Sequence, residues 1–279
     1  MNKKDLQILR AIIHRALEED IGSGDITTLS TVPLRSILDG TFIVKESGVI
    51  AGLEVVRETL HYLDKQISFS QKVTDGKHVV KGTVLAAVYG KGRALLTAER
   101  TALNFLQRMS GIATLTSQYV DAVKGTNVVI LDTRKTSPGN RFLDKQAVIL
   151  GGGANHRFGL FDMVLIKDNH IAAAGGITQA VTQVWATDTM KRLIEVEVKN
   201  LEELREALSL KVDRILLDNM DIKTLREAVH FTAGRIPLEA SGNITLKNVA
   251  AVAATGVDMI SVGALTHSVR ALDISFIVH

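Results

Sequence analysis

Charged and small polar residues follow six short apolar runs in the second half of the chain. These residues are Asp132, Arg134, Lys135, Lys167, Asp168, Asn169, Glu197, Lys199, Asp218, Asn219, Ser241, Asn243 and Gly263. If the runs are parallel strands of a barrel, their carboxyl ends face one mouth and these groups converge there. Any strand end is also where a chain reaches water, which accounts for a single Asp or Lys. Six such ends together favour a binding pocket.

Cations are concentrated around the first two of these strand ends. Arg134, Lys135, Arg157 and Lys167 supply more positive charge than structural pairing needs. Guanidinium groups bind carboxylates and phosphates bidentately, so a polyanionic ligand is predicted. Several charge-assisted bonds can also bring two anionic substrates together despite their mutual repulsion. A transfer reaction between two substrates fits this pattern best.

Two carboxylates, Glu197 and Asp218, end neighbouring predicted strands. Carboxylate oxygens in this arrangement suit a hard cation such as Mg²⁺ or the hydroxyl groups of a sugar. The alternative is an ordinary salt bridge from these carboxylates to Lys167 or Lys199. We therefore take Glu197 and Asp218 as candidate metal ligands and catalytic groups.

His156 lies between Asn155 and Arg157, a context suited to acid, base or hydrogen-bond chemistry. The preceding glycines, residues 151–153, either let backbone N–H groups approach a phosphate or form a flexible turn. The sequence contains no GxxxxGK[ST] loop and no complete GxGxxG fingerprint. This argues against nucleoside triphosphate and dinucleotide chemistry.

The predicted elements place these groups on an α/β scaffold. Residues 5–19 have the apolar spacing of an amphipathic helix, and residues 38–89 alternate short strand-like runs with one helical insert. A long helix is predicted over residues 94–124. Beyond it, apolar runs alternate with helical segments, which predicts a parallel sheet with right-handed crossovers. We expect an incomplete, TIM-like barrel of about six or seven strands.

Composition excludes several classes of protein. The absence of cysteine excludes disulfides, thiolate metal sites, iron–sulfur clusters and cysteine nucleophiles. The 33 basic and 30 acidic residues are interspersed, and aromatic residues are few, which argues against nucleic-acid binding. No apolar stretch has the length of a membrane helix, and the N-terminus lacks the pattern of a signal peptide. A cytoplasmic location is predicted.

Several long motifs resemble one family of enzymes. They are LDTRKTSPGNR (131–141), GGGANHRFGLFDMVLIKDNH (151–170) and LLTAERTALNFLQRMSGIAT (95–114), together with EDIGSGDITT, EVEV, LLDN and GALTHS. The chain is similar across nearly its whole length to the quinolinate phosphoribosyltransferases, also called nicotinate-nucleotide pyrophosphorylases. A related branch associated with molybdenum-transport operons usually differs at the NHR and KDNH positions. The intact motif Asn155-His156-Arg157 argues against that branch.

The resemblance implies a fold and a reaction. An α+β open-faced sandwich is expected over residues 1–108, joined by the C-terminal segment 268–279, and the barrel over residues 109–267. The family joins quinolinate to phosphoribosyl pyrophosphate and releases pyrophosphate and carbon dioxide. The product is nicotinate mononucleotide, an intermediate of NAD biosynthesis, and Mg²⁺ is the implied cofactor.

The resemblance also implies roles for individual residues. Arg134, His156, Arg157 and Lys167 are similar to the family's quinolinate-binding residues, and Arg100 is expected to come from a partner subunit. Contacts to the phosphoribosyl group, its phosphates and its metal are implied for Lys135, Glu197, Asp218, Ser241 and Gly242. Gly263 is added as a substrate contact, and Lys135 or Lys167 is expected to support decarboxylation. A homodimer with shared active sites is implied, with assembly into a hexamer left open.

Three alternatives remain at this level. The scaffold can transfer to a different acid, such as nicotinate, although one carboxylate needs fewer cations than are present. A barrel of this kind can also sense a phosphorylated metabolite without converting it. A nucleic-acid-binding protein would instead show strong salt-dependent binding to DNA or RNA, which the scattered charges do not favour.

Overall fold

The computed structural model describes residues 2–279 and divides into two compact units. The first unit comprises the residues up to Ser117, Thr136–Gly152 and Thr266–His279, and the second comprises Gln118–Lys135 and Gly153–Leu265. The helices are α1 (Lys3–Ile21), α2 (Ile26–Thr31), α3 (Leu53–Leu63), α4 (Gly92–Ala122), α5 (Arg141–Leu150), α6 (Asp168–Ala174), α7 (Ile177–Thr187), α8 (Leu201–Leu208), α9 (Ile222–Thr232), α10 (Val249–Ala253) and α11 (Ala264–His267). The strands are β1 (Ile37–Val44), β2 (Gly48–Val49), β3 (Ser68–Gln71), β4 (His78–Val79), β5 (Val84–Lys91), β6 (Val129–Leu131), β7 (Val164–Ile166), β8 (Ile194–Val198), β9 (Arg214–Asp218), β10 (Leu238–Ser241), β11 (Met259–Ser261) and β12 (Ile274–Val278).

The first unit is built on an antiparallel sheet with the strand order β12-β1-β5-β3. In β1, Phe42 and Val44 point inward and pack in one apolar cluster with Leu53 of α3 and Leu95 of α4. One face of the sheet is thus covered by helices, which is the expected open-faced α+β arrangement. The C-terminal strand β12 pairs with β1 from Gly40↔Val278 to Val44↔Ile274.

One predicted strand in this unit is much shorter than the sequence pattern indicates. The run over residues 72–80 contributes only the two residues of β4, His78 and Val79. The reason is Asp75, whose Oδ1 accepts the backbone N–H groups of Gly52 at 3.0 Å and Leu53 at 3.1 Å. The segment therefore forms a turn that caps the N-terminus of α3 instead of continuing as a strand.

The second unit contains six parallel strands in the order β6-β11-β10-β9-β8-β7. This is the strand order of a barrel in which β6 and β7 do not pair. A single parallel bridge from Ala154 to Leu131 extends the β6 edge by one residue. The predicted incomplete α/β barrel is confirmed, and each of its strands lies within one of the six apolar runs.

Short loops at the carboxyl ends of the strands lead directly into capped helices. Asn200 follows β8 and accepts the backbone N–H groups of Glu202 and Glu203 with its side chain, which starts α8. Asp221 follows β9 and caps α9 by accepting the N–H of Thr224. Such caps hold the ends of β8 and β9 in place. Among residues 2–279, no helix is long and apolar enough to cross a membrane.

Candidate active site

The mouth of the second unit carries polar residues on three adjacent strands. Glu197 of β8, Asp218 of β9 and Ser241 of β10 lie at or near the strand ends. Ser241 is in register with Asp218, whereas Glu197 is in register with Leu216, one pleat below Asp218. Side chains two residues apart share a face of a strand, so all three point to the same side of the sheet. The predicted convergence of these strand ends is present in the parallel register.

Lys167 and Glu197 form an ion pair across β7 and β8. The Nζ atom of Lys167 donates to Oε2 of Glu197 at 2.7 Å; 46% of the lysine side chain is exposed, but only 8% of the glutamate side chain. Lys199 makes a weaker pair with Asp168, at 3.3 Å. Backbone N–H donation from Asn169, followed by Lys199, lowers the pKa of Asp168. The salt-bridge alternative for Glu197 is thus present in the structure, with Lys167 as the partner.

Arg157 and Arg134 place two positive charges in the same region. Burial lowers the pKa of Arg157, and repulsion from the Arg134 guanidinium lowers it further, while Asp162 and Glu195 oppose this shift. Nη1 of Arg157 donates to the carbonyl of Met163 at 3.1 Å, but its buried Nε has no hydrogen-bond acceptor. Two like charges held near each other, with the Nε donor of Arg157 unused, match a ligand that carries carboxylates.

His156 is held on all sides by protein groups. Its backbone N–H donates to buried Asp132 at 2.9 Å, and its Nδ1 accepts the backbone N–H of Arg157 at 2.7 Å. Its Nε2 lies 2.9 Å from Oε2 of Glu195 and 3.4 Å from Oε2 of Glu239. Because Nδ1 is an acceptor, the ring proton is on Nε2. Both ring nitrogens therefore face protein atoms, and a contact between His156 and a substrate stays a prediction.

The pair Glu195 and Glu239 is the main feature of the site that sequence reasoning missed. Both side chains are fully buried, and they flank the guanidinium of Arg214. Burial raises the pKa of Glu195 to about 7, and burial together with repulsion from Glu195 raises the pKa of Glu239 to about 7. The sequence signal was the alternation in IEVEV and LEAS, which places Glu195 and Glu239 on the same face as Glu197 and Ser241.

The loop after β10 packs closely against the end of β9. Gly242 has φ 97°, and a Cβ atom there would lie 2.1 Å from Oδ1 of Asn219. That Oδ1 accepts the side-chain amide of Asn243 at 3.0 Å, and the amide of Asn219 donates to Asp218 at 3.0 Å. Only glycine fits this backbone conformation and this close approach. The loop is therefore a rigid, polar edge of the mouth beside Asp218.

The remaining predicted residues occupy different positions. Lys135 is exposed in the loop after β6, where its backbone N–H donates to Thr133 at 3.0 Å. Gly263 follows β11, and Arg100 is exposed on α4 in the first unit. Gly151 serves packing, because a Cβ there would lie 2.5 Å from the Ala113 carbonyl. The structure does not assign Gly151 to a phosphate.

Two sets of side chains have the chemistry of a metal site. His156, Glu195 and Glu239 bring three ligand atoms within 4.8 Å of one another. The guanidinium of Arg214, 3.2 Å from Oε2 of Glu239, already supplies positive charge there. Glu197 and Asp218 instead lie at the mouth and provide the oxygen ligands that Mg²⁺ prefers.

An incomplete α/β barrel whose strand ends carry both cations and carboxylates defines an enzyme class that acts on anionic small molecules. Comparisons with known proteins narrow this class. The quinolinate phosphoribosyl transferase N-terminal domain matches residues 25–110, and the C-terminal domain of the same family matches residues 112–277. The chain belongs to the quinolinate phosphoribosyltransferase family.

Individual relatives agree with this family. A chloroplastic nicotinate-nucleotide pyrophosphorylase [carboxylating] from rice, Oryza sativa subsp. japonica, is 46% identical over 96% of this chain and 76% of its own length. A probable enzyme of the same name from Bacillus subtilis is 43% identical over 96% of this chain and 92% of its own length. The solved nicotinate-nucleotide pyrophosphorylase from Francisella tularensis is 41% identical, with a TM-score of 0.93 over 98% of this chain and 96% of that structure.

Proposed function

We propose that the protein transfers the phosphoribosyl group of phosphoribosyl pyrophosphate to quinolinate and decarboxylates the adduct, as a nicotinate-nucleotide diphosphorylase (carboxylating) of NAD biosynthesis. The observation that carries this assignment is the placement of Arg157 beside Arg134 at a mouth that also holds Glu197 and Asp218. The ring nitrogen of quinolinate attacks the anomeric carbon, and the bond to pyrophosphate breaks. The ring carboxylate next to that nitrogen then leaves as CO₂, and a proton takes its place.

The cationic side of the mouth is assigned to the acceptor. Quinolinate carries two adjacent carboxylates, and Arg134, Arg157 and Lys167 offer the charges to bind them. A bound carboxylate also relieves the repulsion between the two guanidinium groups, because a negative charge then lies between them. His156 is assigned a supporting role. Its Nδ1 accepts the backbone N–H of Arg157 and its Nε2 faces Glu195, so both ring nitrogens have protein partners.

The carboxylate side is assigned to the donor sugar. Positive charge develops at the anomeric carbon as pyrophosphate leaves, and Glu197 and Asp218 stabilise it electrostatically. Ser241, Gly242 and Gly263 line the phosphate side, together with Lys135. The donor set of Glu197 and Asp218 fits Mg²⁺, which when bound would neutralise phosphate charge. Activity is expected to disappear on chelation with EDTA and to return when Mg²⁺ is added.

Decarboxylation needs no external electron sink. Once the ring nitrogen is quaternary, it stabilises the electron pair that remains on the adjacent carbon. Lys167, anchored 2.7 Å from Glu197, and exposed Lys135 are the cations placed to support this step.

The active site is proposed to be shared between the subunits of a homodimer, with Arg100 entering the partner's site. Mixing tests this directly: Arg100→Ala and Glu197→Gln subunits are each expected to be nearly inactive. Random exchange would restore one intact site in every mixed dimer, so about a quarter of the wild-type activity should return. Activity that stays at the level of the separate variants would contradict a shared site. The molecular mass of the protein in solution would show whether dimers assemble further into hexamers.

The deciding experiment offers quinolinate and nicotinate in parallel with phosphoribosyl pyrophosphate and Mg²⁺. Nicotinate mononucleotide and CO₂ from quinolinate, with little product from nicotinate, are expected. Product from nicotinate alone would retain the scaffold and refute the acceptor assignment. Tight binding of both ligands without product would favour a metabolite sensor. The cytoplasmic location stays a prediction to be checked by fractionation, because the rice relative is named as chloroplastic.

A further inference from the structure

A charged layer lies buried beneath the mouth of the barrel. Arg214, Glu195 and Glu239 face the same side as Glu197 and Ser241 but lie lower on their strands, and Glu195 is in register with Arg214. Successive residues on one face are about 6.6 Å apart along a strand, so Glu195 lies one such step below Glu197, and Glu239 lies one such step below Ser241. Fully buried charged groups destabilise a fold unless they are paired, which calls for a specific reason for their presence.

The layer is organised around the imidazole of His156. Oε2 of Glu239 lies 3.2 Å from Nη1 of Arg214 and 3.4 Å from Nε2 of His156. Oε2 of Glu195 lies 2.9 Å from the same nitrogen, while its Oε1 is 4.0 Å from Nε of Arg214. The Nε2–H edge of the ring therefore rests between two carboxyl groups, which also flank the guanidinium of Arg214.

The other edge of the ring supports Arg157. Nδ1 of His156 accepts the backbone N–H of Arg157 at 2.7 Å. Asp132 holds the backbone N–H of His156 at 2.9 Å. A rotation of the ring would break the contact with Arg157, so the ring connects the carboxyl pair to the backbone from which the side chain of Arg157 extends.

We propose that Glu195 and Glu239 are positioning residues for acceptor binding, which act through the His156 ring on Arg157. This inference rests on the proposed function, because Arg157 is the group assigned to quinolinate. Neither glutamate touches the reacting atoms. Their effect is to keep one cation in the orientation that a dicarboxylate requires, and misplacement of a binding group weakens binding even when the group itself remains.

Two substitutions of similar size separate positioning from packing. Glu239→Met keeps the volume but removes one of the two carboxyl groups that face Nε2–H and hold the ring between them. Glu239→Gln keeps an acceptor at Oε1, and its amide can donate to the Glu195 carboxylate. Loss of a positioned charge-assisted contact predicts that Glu239→Met raises the KM for quinolinate about tenfold or more. The KM for phosphoribosyl pyrophosphate should change less than about twofold, and Glu239→Gln should recover most of the quinolinate affinity.

Asp144→Asn is the matched control. Asp144 is also fully buried and pairs bidentately with Arg108 at 2.8 Å for both bonds. This variant should lower the thermal unfolding midpoint without separating the two KM values. Equal changes in both KM values for Glu239→Met and Glu239→Gln, or an unchanged quinolinate KM in Glu239→Met, would overturn the inference.

The state of the ring provides a readout that does not need turnover. In ¹⁵N spectra of histidine-labelled protein, His156 should carry its proton on Nε2, and Glu239→Gln should retain this signal. Glu239→Met should lose or shift it, and an unchanged signal there would contradict the positioning role. If the unaltered protein does not use quinolinate, the proposed function fails, while these spectra still decide whether the carboxyl pair holds the ring.

Discussion

Lys167 donates a 2.7 Å hydrogen bond to Glu197, and this pair joins the cationic side of the mouth to its acidic side. In the proposed reaction, Lys167 belongs to the acceptor and Glu197 to the sugar. A carboxylate of quinolinate would compete with Glu197 for the ammonium group. Glu197 would then be released toward the positive charge that develops on the sugar.

Removal of either member of this pair should reduce catalysis more than stability. We expect Lys167→Met and Glu197→Gln each to lower kcat/KM for quinolinate by about 100-fold, because each loses a charge that acts near the transition state. The double variant should lose less than the product of the two, since coupled groups are not additive. Unfolding should change less than catalysis: Lys167 is half exposed, but Lys167→Met leaves the nearly buried carboxylate of Glu197 without this partner and lowers stability to some extent. Lys223→Met, which removes a lysine paired with Glu227 on α9, is the control and should keep full activity.

Substitution of Arg157 tests the acceptor assignment. Arg157→Lys keeps a positive charge but loses the bidentate fork, and we expect kcat/KM for quinolinate to fall by about 10- to 100-fold, in line with one charge-assisted bond. The exposed Arg226 on α9 provides the control Arg226→Lys. Normal kinetics with quinolinate in Arg157→Lys would remove Arg157 from the acceptor site.

Gly242 offers a test of the phosphate side. Gly242→Ala places a methyl group against Asn219 at a left-handed φ, so the loop must move, and the KM for phosphoribosyl pyrophosphate should rise. Gly234→Ala is the matched control: Gly234 also has a positive φ, of 72°, but its Cβ would meet nothing within 4 Å. Both variants should lose about 1 kcal/mol of unfolding free energy from backbone strain. A similar rise of the KM in both would show that strain alone is responsible.

The buried carboxyl pair predicts a pH dependence of stability. The pKa of Glu239 is raised from 4.5 to about 7, so between these values the folded state holds a proton that the unfolded state has lost. The contribution of Glu239 to the free energy of unfolding therefore falls as pH rises through this window and stays constant above about 7. An amide in its place is neutral throughout, so Glu239→Gln should match the wild type near pH 5 and exceed it above pH 7. One pKa unit corresponds to about 1.4 kcal/mol, which gives a difference of roughly 2–3 kcal/mol at high pH.

Calorimetric unfolding of both proteins from pH 5 to 8.5 provides the comparison. Parallel curves for the wild type and Glu239→Gln would show that Glu239 is charged in the folded state at all these values of pH.

The sequence by itself determined the positions of the barrel strands and the identity of most polar groups at the mouth. Strands covered on both faces are rich in apolar residues, and each of β6 to β11 lies within such an apolar-rich run, although glutamates interrupt β8 and β10. The polar groups that follow these runs, such as Asp218 and Ser241, converge because parallel strands present their carboxyl ends to one side. Local composition carries all of this information.

The tertiary structure decided which groups the two glutamates of β8 contact. Glu195 and Glu197 share one face of the strand, and only the register with β9, which sets Glu195 against Arg214 and Glu197 against Leu216, distinguishes their neighbours. The same holds for His156, whose Nε2 faces two groups distant in sequence, Glu195 and Glu239. Such partners depend on how neighbouring strands are aligned, because the period of a single strand specifies a face but not the residues that lie beside it.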